Sequence, residues 1–350
     1  MLREKYLITV TLPVIFSSFS NSFYLISRNN TLVIKAILRF LPYIPMSAHQ
    51  NQKTTPPSNV MDDWAAVSSA HTNEVKNWTD PYRKRKTKHL KHPVLDFMFT
   101  YYSFSMGKLE TWHPGYGFSL PFSGSQSRPQ GLSEKYYSLK DGHLFLDPSL
   151  MSEQRIPRLG WILSLLKATH GRAASFGCFG LHEWAMVYKG EDIRHRESAP
   201  LRLSQKETDK VLENRTIRCS HYDAYRFFSK PALPMNKLSP CMDNRHETEQ
   251  PGCLHTNMDL YKWCYKCMPW VNSELLWKCF KLALKVRELD MKASPYNLSE
   301  YGLEPVKIET ATGREEYEKQ QRSLAKAAKP LRAELIRQLE TVIETAQSSR

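Results

Sequence analysis

Four times in this chain a histidine falls within four residues of a carboxylate inside an aromatic-rich stretch: His92 and Asp96, His182 and Glu183, His221 and Asp223, His255 and Asp259. Aromatic side chains are costly to leave in water, so these stretches are expected to be buried or to line a pocket. Ionisable groups in such company need a partner or a chemical role. The four pairs together predict a polar site set in an apolar wall, suited to general acid–base work.

Asp96 is the only Asp, Glu, Lys or Arg between Lys91 and Lys108. Desolvation there raises a carboxyl pKa unless a cation such as Arg226 pairs with it. His92 precedes Asp96 by one helical turn and shares its face. His182 and Glu183 are adjacent, so they point different ways and hold different tasks. Ser220-x-x-Asp223 and Thr256-x-x-Asp259 match the capping box that opens helices, which gives both aspartates a structural explanation and leaves His221 and His255 without one. The same residues, with Cys219-x-His221, Cys253-x-His255 and Cys264-x-x-Cys267, admit a zinc or iron ion, at a spacing that fits no standard finger. No other cofactor is expected: the chain has neither a Walker-type glycine loop nor a G-x-G-x-x-G fingerprint. Tyr101, Tyr102, Trp112, Trp184, Tyr222, Tyr225 and Trp263 interleave with these sites and offer flat faces for a nucleobase, or simply an aromatic core.

The net charge of +14 favours a nucleic-acid or other phosphate-bearing partner. Arg83-Lys84-Arg85-Lys86, followed by Lys88 and Lys91, is the densest basic run; it reads as a phosphate contact, joined by Arg226, or as a solvated surface. Seven cysteines, an odd number in a long chain, speak against a secreted disulfide framework. Residues 1–60 contain one acidic residue, Glu4, with scattered Arg and Lys and a serine cluster. That composition reads as a transit segment for a plastid or mitochondrion, or as a bipartite signal; a start at Met46 would leave a cytoplasmic or nuclear protein. Apolar runs are too short for a stable membrane span.

The elements that must hold these residues follow from local signals. Residues 61–91 read as a basic, partly helical linker, and 92–350 as one globular domain. Val94 to Phe104 is apolar almost all round and predicts a buried helix opened by Pro93. Phe118 to Pro129 looks like loop, and Lys135 to Leu146 like two strands around Asp141-Gly142. Helices are predicted over Arg158 to His170, ended by Gly171, and over Ser204 to Glu213, Ser220 to Ser229, Thr256 to Met268 and Ser273 to Leu289, the last two separated by Pro269. Arg194 to Leu203 suits a strand. Glu315 to Ser348 is alanine-rich and helical, interrupted before Leu331 by Pro330. The fold class expected is mainly α with a small β component (α+β), a single compact helical domain after a targeting segment.

Several long blocks also resemble one bacterial family: H-P-V-L-D-F-M-F-T-Y-Y-S-F from His92, W-H-P-G from Trp112, G-L-H-E-W-A-M-V-Y from Gly180, C-S-H-Y-D-A-Y-R-F-F from Cys219, E-Q-P-G-C-L-H-T-N-M-D-L-Y-K-W from Glu249 and R-E-L-D-M-K-A-S-P-Y from Arg287. Its members are commonly labelled 3-methyladenine DNA glycosylases, and the likeness runs from about His92 to Leu331. It implies an enzyme that takes an alkylated purine out of DNA and hydrolyses its glycosidic bond. Asp96 or Glu183 would then activate water or stabilise the sugar cation, with His92, His182 or His221 orienting that carboxylate. Pro114-Gly115-Tyr116-Gly117 has the turn of helix-hairpin-helix glycosylases, but Pro121 cuts short any helix after it.

Overall fold

The computed structural model describes residues 25–27, 30–32, 55–123, 128–190 and 199–350. The chain divides into two units, Met1–Gln52 and Lys53–Arg350. In the first, β1 (Leu25–Ser27) and β2 (Asn30–Leu32) pair antiparallel. The expected targeting features otherwise lie outside the described residues, as does the first half of the strand expected over 194–203; its second half makes only an isolated bridge, Leu201 to Tyr296.

The second unit is mainly helical with a small sheet. Its centre is a helical hairpin, α9 (Leu254–Cys267) and α10 (Ser273–Lys292), split at Pro269 as the sequence predicts. Asn272 caps α10 by accepting from the Leu275 N–H (2.8 Å). The long α11 (Ala311–Ser348) packs on both and on α4 (Arg155–His170), which ends at Gly171. Leu335, Leu339, Val342 and Ala346 recur at helical spacing on one face of α11 and are buried. Pro330 does not interrupt this helix. It lies exposed, between the buried Ala328 and Arg332, so packing on both sides outweighs the lost backbone hydrogen bond.

The sheet runs in the order β3 (Asn59–Val60), β4 (Phe118–Pro121), β6 (His143–Leu146), β5 (Tyr137–Lys140). Positive φ at Asp141 (51°) and Gly142 (73°) makes the tight turn that their types predict. Phe118–Pro121 is therefore strand rather than loop: β4 lies between β3 and β6, which satisfy its backbone on both sides.

The stretch expected as a linker is largely α1 (Trp64–Thr87). It buries Val75, Thr79 and Tyr82 and packs on α3 (Met106–Glu110) and α10, so the compact unit begins well before residue 92. The buried helix expected over 94–104 shrinks to α2 (Phe97–Thr100), because Ser103 turns into the left-handed region (φ 51°). α5 (Leu181–Met186), α6 (Gln205–Glu213), α7 (Tyr222–Tyr225) and α8 (Arg245–Thr248) complete the helices. Among the described residues, only α6 carries a capping box, Ser204 with Glu207. Among the described residues, no helix is long and apolar enough to cross a membrane.

Candidate active site

α5, α9 and α10 meet beside the loop leading into α7, and each brings charge into a buried place. α5 supplies His182 and Glu183, α9 supplies His255 and Asp259 one turn apart, and α10 supplies Arg287 and Asp290. His221 and Asp223 come from the start of α7.

These side chains form two ionic clusters. In the first, His182 Nε2 lies 2.7 Å from Asp290 Oδ1, while Arg287 donates to Asp290 Oδ2 (3.0 Å) and to Glu183 Oε1 (3.1 Å). In the second, Lys262 Nζ donates to Asp259 Oδ2 (2.5 Å) and Asp223 Oδ2 (2.9 Å), and Tyr102 donates its hydroxyl proton to Asp259 Oδ1 (2.9 Å). His221 Nε2 lies 3.2 Å from Asp259, and Arg245 bridges Asp223, Glu249 and Asp259. His255 stands between the clusters, its ring centre 4.5 Å from that of His182 and 5.5 Å from that of His221. It is 6% exposed, and its Nδ1 has no hydrogen-bond partner among the described residues.

A cavity of about 270 Å³ opens onto both clusters. Phe97, Tyr101, Phe227 and Tyr296 form aromatic walls; Glu183, Asp223, His255 and Arg287 supply the polar groups. Arg287 also stacks its guanidinium 3.9 Å from the centre of the Phe97 ring, which fixes its fork toward the carboxylates.

The two cavity carboxyls are tuned apart. Burial and the neighbouring Asp290 push Glu183 up, against the partial relief of Arg287. Burial also works against the charge of Asp223, but Lys262 outweighs it and the net shift is downward. Asp259 and Asp290 are desolvated too, yet Lys262 and His221 hold the first, and His182 the second, well below the carboxylate range. His182 overcomes its own burial through Asp290 and Cys178 and is held well above the usual imidazole range. Burial and the charge of His182 push His255 down to about 3, so it is neutral.

Behind His182, away from the carboxyls, Cys178 Sγ lies 3.4 Å from His182 Nδ1. The neighbouring Cys219 side chain, together with His182, drives the Cys178 thiol well below its ordinary value. Cys178, His182 and Asp290 thus form a thiol–imidazole–carboxylate line.

Two groups, the buried His182 with His255 and Asp290, and the buried His221 and Asp259 with the half-buried Asp223, have ligand atoms within 4.8 Å of one another, the donor types and spacing of a metal site. The charges present fit a metal poorly. Lys262 already occupies Asp223 and Asp259, and Arg287 occupies Asp290.

Of the residues expected from sequence, His182, Glu183, His221, Asp223, His255, Asp259 and Tyr101 come together here. Asp223 and Asp259 are not capping residues: Asp223 sits beside Lys262, and Asp259 lies inside α9, whose N-cap is Cys253. Asp96 and His92 lie elsewhere. Asp96 pairs with Arg85 (2.5 Å) and accepts the His92 N–H (2.8 Å), and the His92 ring packs on Tyr301. Trp184 is fully buried with its indole N–H on Ala293 O, Trp112 is buried in the core, and Tyr225 bonds Leu233 O, so none of the three faces the cavity. Tyr102 serves the site from behind, through Asp259. In the basic run, Arg83 pairs with Asp80 and Glu110 and Arg85 with Asp96, which leaves Lys84 and Lys86 exposed. Arg226 pairs with Asp223 (3.2 Å).

Sequence reasoning missed Arg245, Glu249, Lys262, Arg287, Asp290 and the thiol of Cys178. A signal existed for two of them: Arg287 and Asp290 lie three apart among the apolar Val286, Leu289 and Met291, the same mismatch that marked Glu183. Compared with protein-family models, with curated proteins and with solved structures, the chain matches none.

Proposed function

We propose that this protein is a hydrolase of N-glycosidic bonds that releases an alkylated purine from DNA. One observation carries the reading: a ring-walled cavity holds two carboxyls with opposite proton affinities, Glu183 raised and Asp223 lowered. Such a pair divides acid and base work. Protonated Glu183 donates to the departing base as its bond to the sugar breaks. Ionised Asp223 stabilises the positive charge that grows on the sugar and takes a proton from the attacking water. Tyr101 and Phe227 stack on the flat base, and a methylated, electron-poor ring gains most from those π faces. The resemblance of several sequence blocks to the family labelled 3-methyladenine DNA glycosylase supports the substrate class.

Methylated DNA and purified protein test the reading directly. Glu183→Gln and Asp223→Asn should each cut base release by about 10²–10⁴-fold, the usual worth of a positioned acid or base. The rate should fall as pH climbs past the raised Glu183 value, because the acid is then spent. No release by the wild type above the double variant removes the proposal. A zinc or iron enzyme would have to displace Lys262 or Arg287; one equivalent of tightly held metal in the active protein would favour that reading instead.

A further inference from the structure

A charged concavity lies away from the basic run that the sequence advertises. It is a groove of about 670 Å³ between α3, α4, the end of α9 and the turn before β5. Lys108, Lys135, Arg155, Arg158 and Lys266 line it, and no Asp or Glu does. Among the described residues, none of these five cations forms a salt bridge. Arg155 reaches back to Met268 O (3.2 Å) and so braces the wall, while the other four are exposed. Arg155 and Arg158 stand in the first turn of α4, where the helix dipole penalises positive charge; an arriving anion would relieve that cost. Aromatic rings share the lining: Phe104 stacked on Tyr265 (3.9 Å between centres), and Tyr136 edge-on to Trp270.

We propose that this groove holds the phosphate backbone of a single nucleic-acid strand whose target base enters the Glu183 cavity. Unpaired cations supply the affinity for phosphate, and the half-buried Tyr136 and Tyr265 rings accept bases without regard to sequence. The two places are close in sequence and joined by packed rings: Thr100 and Tyr101 border the cavity, Phe104 borders the groove, and Tyr102 packs between Tyr101 and Phe104. The entry of the base rests on the hydrolase reading; the grip on the strand does not.

An unmodified, fluorescein-labelled single-stranded DNA oligonucleotide tests the groove alone, since it offers no base to release. The full chain should bind it with a steep salt dependence. Arg158→Glu/Lys266→Glu should weaken binding by 10-fold or more and lower the salt slope by about 1.4, at about 0.7 per lost phosphate contact. Lys84→Glu/Lys86→Glu changes the net charge equally on exposed positions outside the groove and should stay within 2-fold of wild type. Thermal melts that match wild type verify that both variants are folded. Absence of binding at low salt, equal weakening by the two double variants, or equal competition by polyglutamate overturns the proposal. Binding that is lost in the groove variant, from a protein that releases no base, upholds the groove and sinks the hydrolase; base release unaffected by the groove variant does the reverse.

Discussion

His182 is held charged by what lies on either side of it. Asp290 accepts its Nε2–H at 2.7 Å, and the Cys178 thiol faces Nδ1 at 3.4 Å. A thiolate beside an imidazolium is the reactive form of cysteine, and it persists below the ordinary thiol pKa of about 8.5. Removing the far carboxylate should undo this from a distance. With Asp290→Asn, His182 loses its main source of positive character and Cys178 loses the charge that stabilises its anion. Alkylation by iodoacetamide, followed by mass spectrometry of the Cys178 peptide, reads the effect. Wild-type Cys178 should still react at pH 6. The variant should react at least 10-fold more slowly there and recover as pH approaches the ordinary thiol value, while exposed Cys241 serves as the internal reference. Equal rates at pH 6 would show that the line from carboxylate to thiol carries no charge.

At the scale of elements, α5 depends on the backbone that starts it. Gly180 precedes the helix with φ 73°, and a Cβ there would come within 3.2 Å of Ala293 Cβ. An L residue pays about 1–2 kcal/mol for that conformation before any crowding, so Gly180→Ala should lower the unfolding free energy by at least that much in urea titrations. An unchanged value would mean that the turn relaxes freely. Elements with local punctuation were legible from sequence: Gly171 closes α4, Asp141-Gly142 turns the hairpin, and Pro269 parts α9 from α10. Elements defined by tertiary contact were not. α2 and α7 are four residues each, and β4 is a strand only because β3 and β6 flank it. The site divides in the same way. Charged residues in apolar company pointed to Glu183, His221 and Asp259. The same pattern misled at Asp96, whose partner Arg85 comes from a helix that looked like linker. Ser220-x-x-Asp223 and Thr256-x-x-Asp259 have capping spacing, but α9 begins before Thr256 and Lys262 claims both carboxylates.

Over the whole molecule, burial of neutral imidazoles sets how stability responds to acid. Burial pushes His71, His92, His113, His170 and His255 down, His113 to about 4 and His255 to about 3. In the unfolded chain each titrates near 6.5. As pH falls from 7 to 5 the unfolded state therefore takes up protons that the folded state refuses, and stability drops. His255 alone accounts for roughly 2 kcal/mol of that loss by pH 5, from the distance between its folded and unfolded values. His182 acts in the opposite sense: its contribution is fully present below 6.5 and fades only as pH rises through its raised value. Asp259 and Asp290, both depressed, keep their contribution until pH drops below the ordinary carboxylate value of about 3.9, so they do not shape this window. Glu183, also raised, gains stability as pH falls, and the depressed Cys178 thiol loses it; five lowered imidazoles together with Cys178 outweigh His182 and Glu183. Urea unfolding of the full chain should give a smaller free energy at pH 5 than at pH 7, and His255→Gln should shrink that difference by roughly 2 kcal/mol. A wild type equally stable at both values, or a difference that His255→Gln leaves intact, would mean that His255 is already protonated in the folded protein, and with it the neutral bridge between the two ionic clusters would be lost.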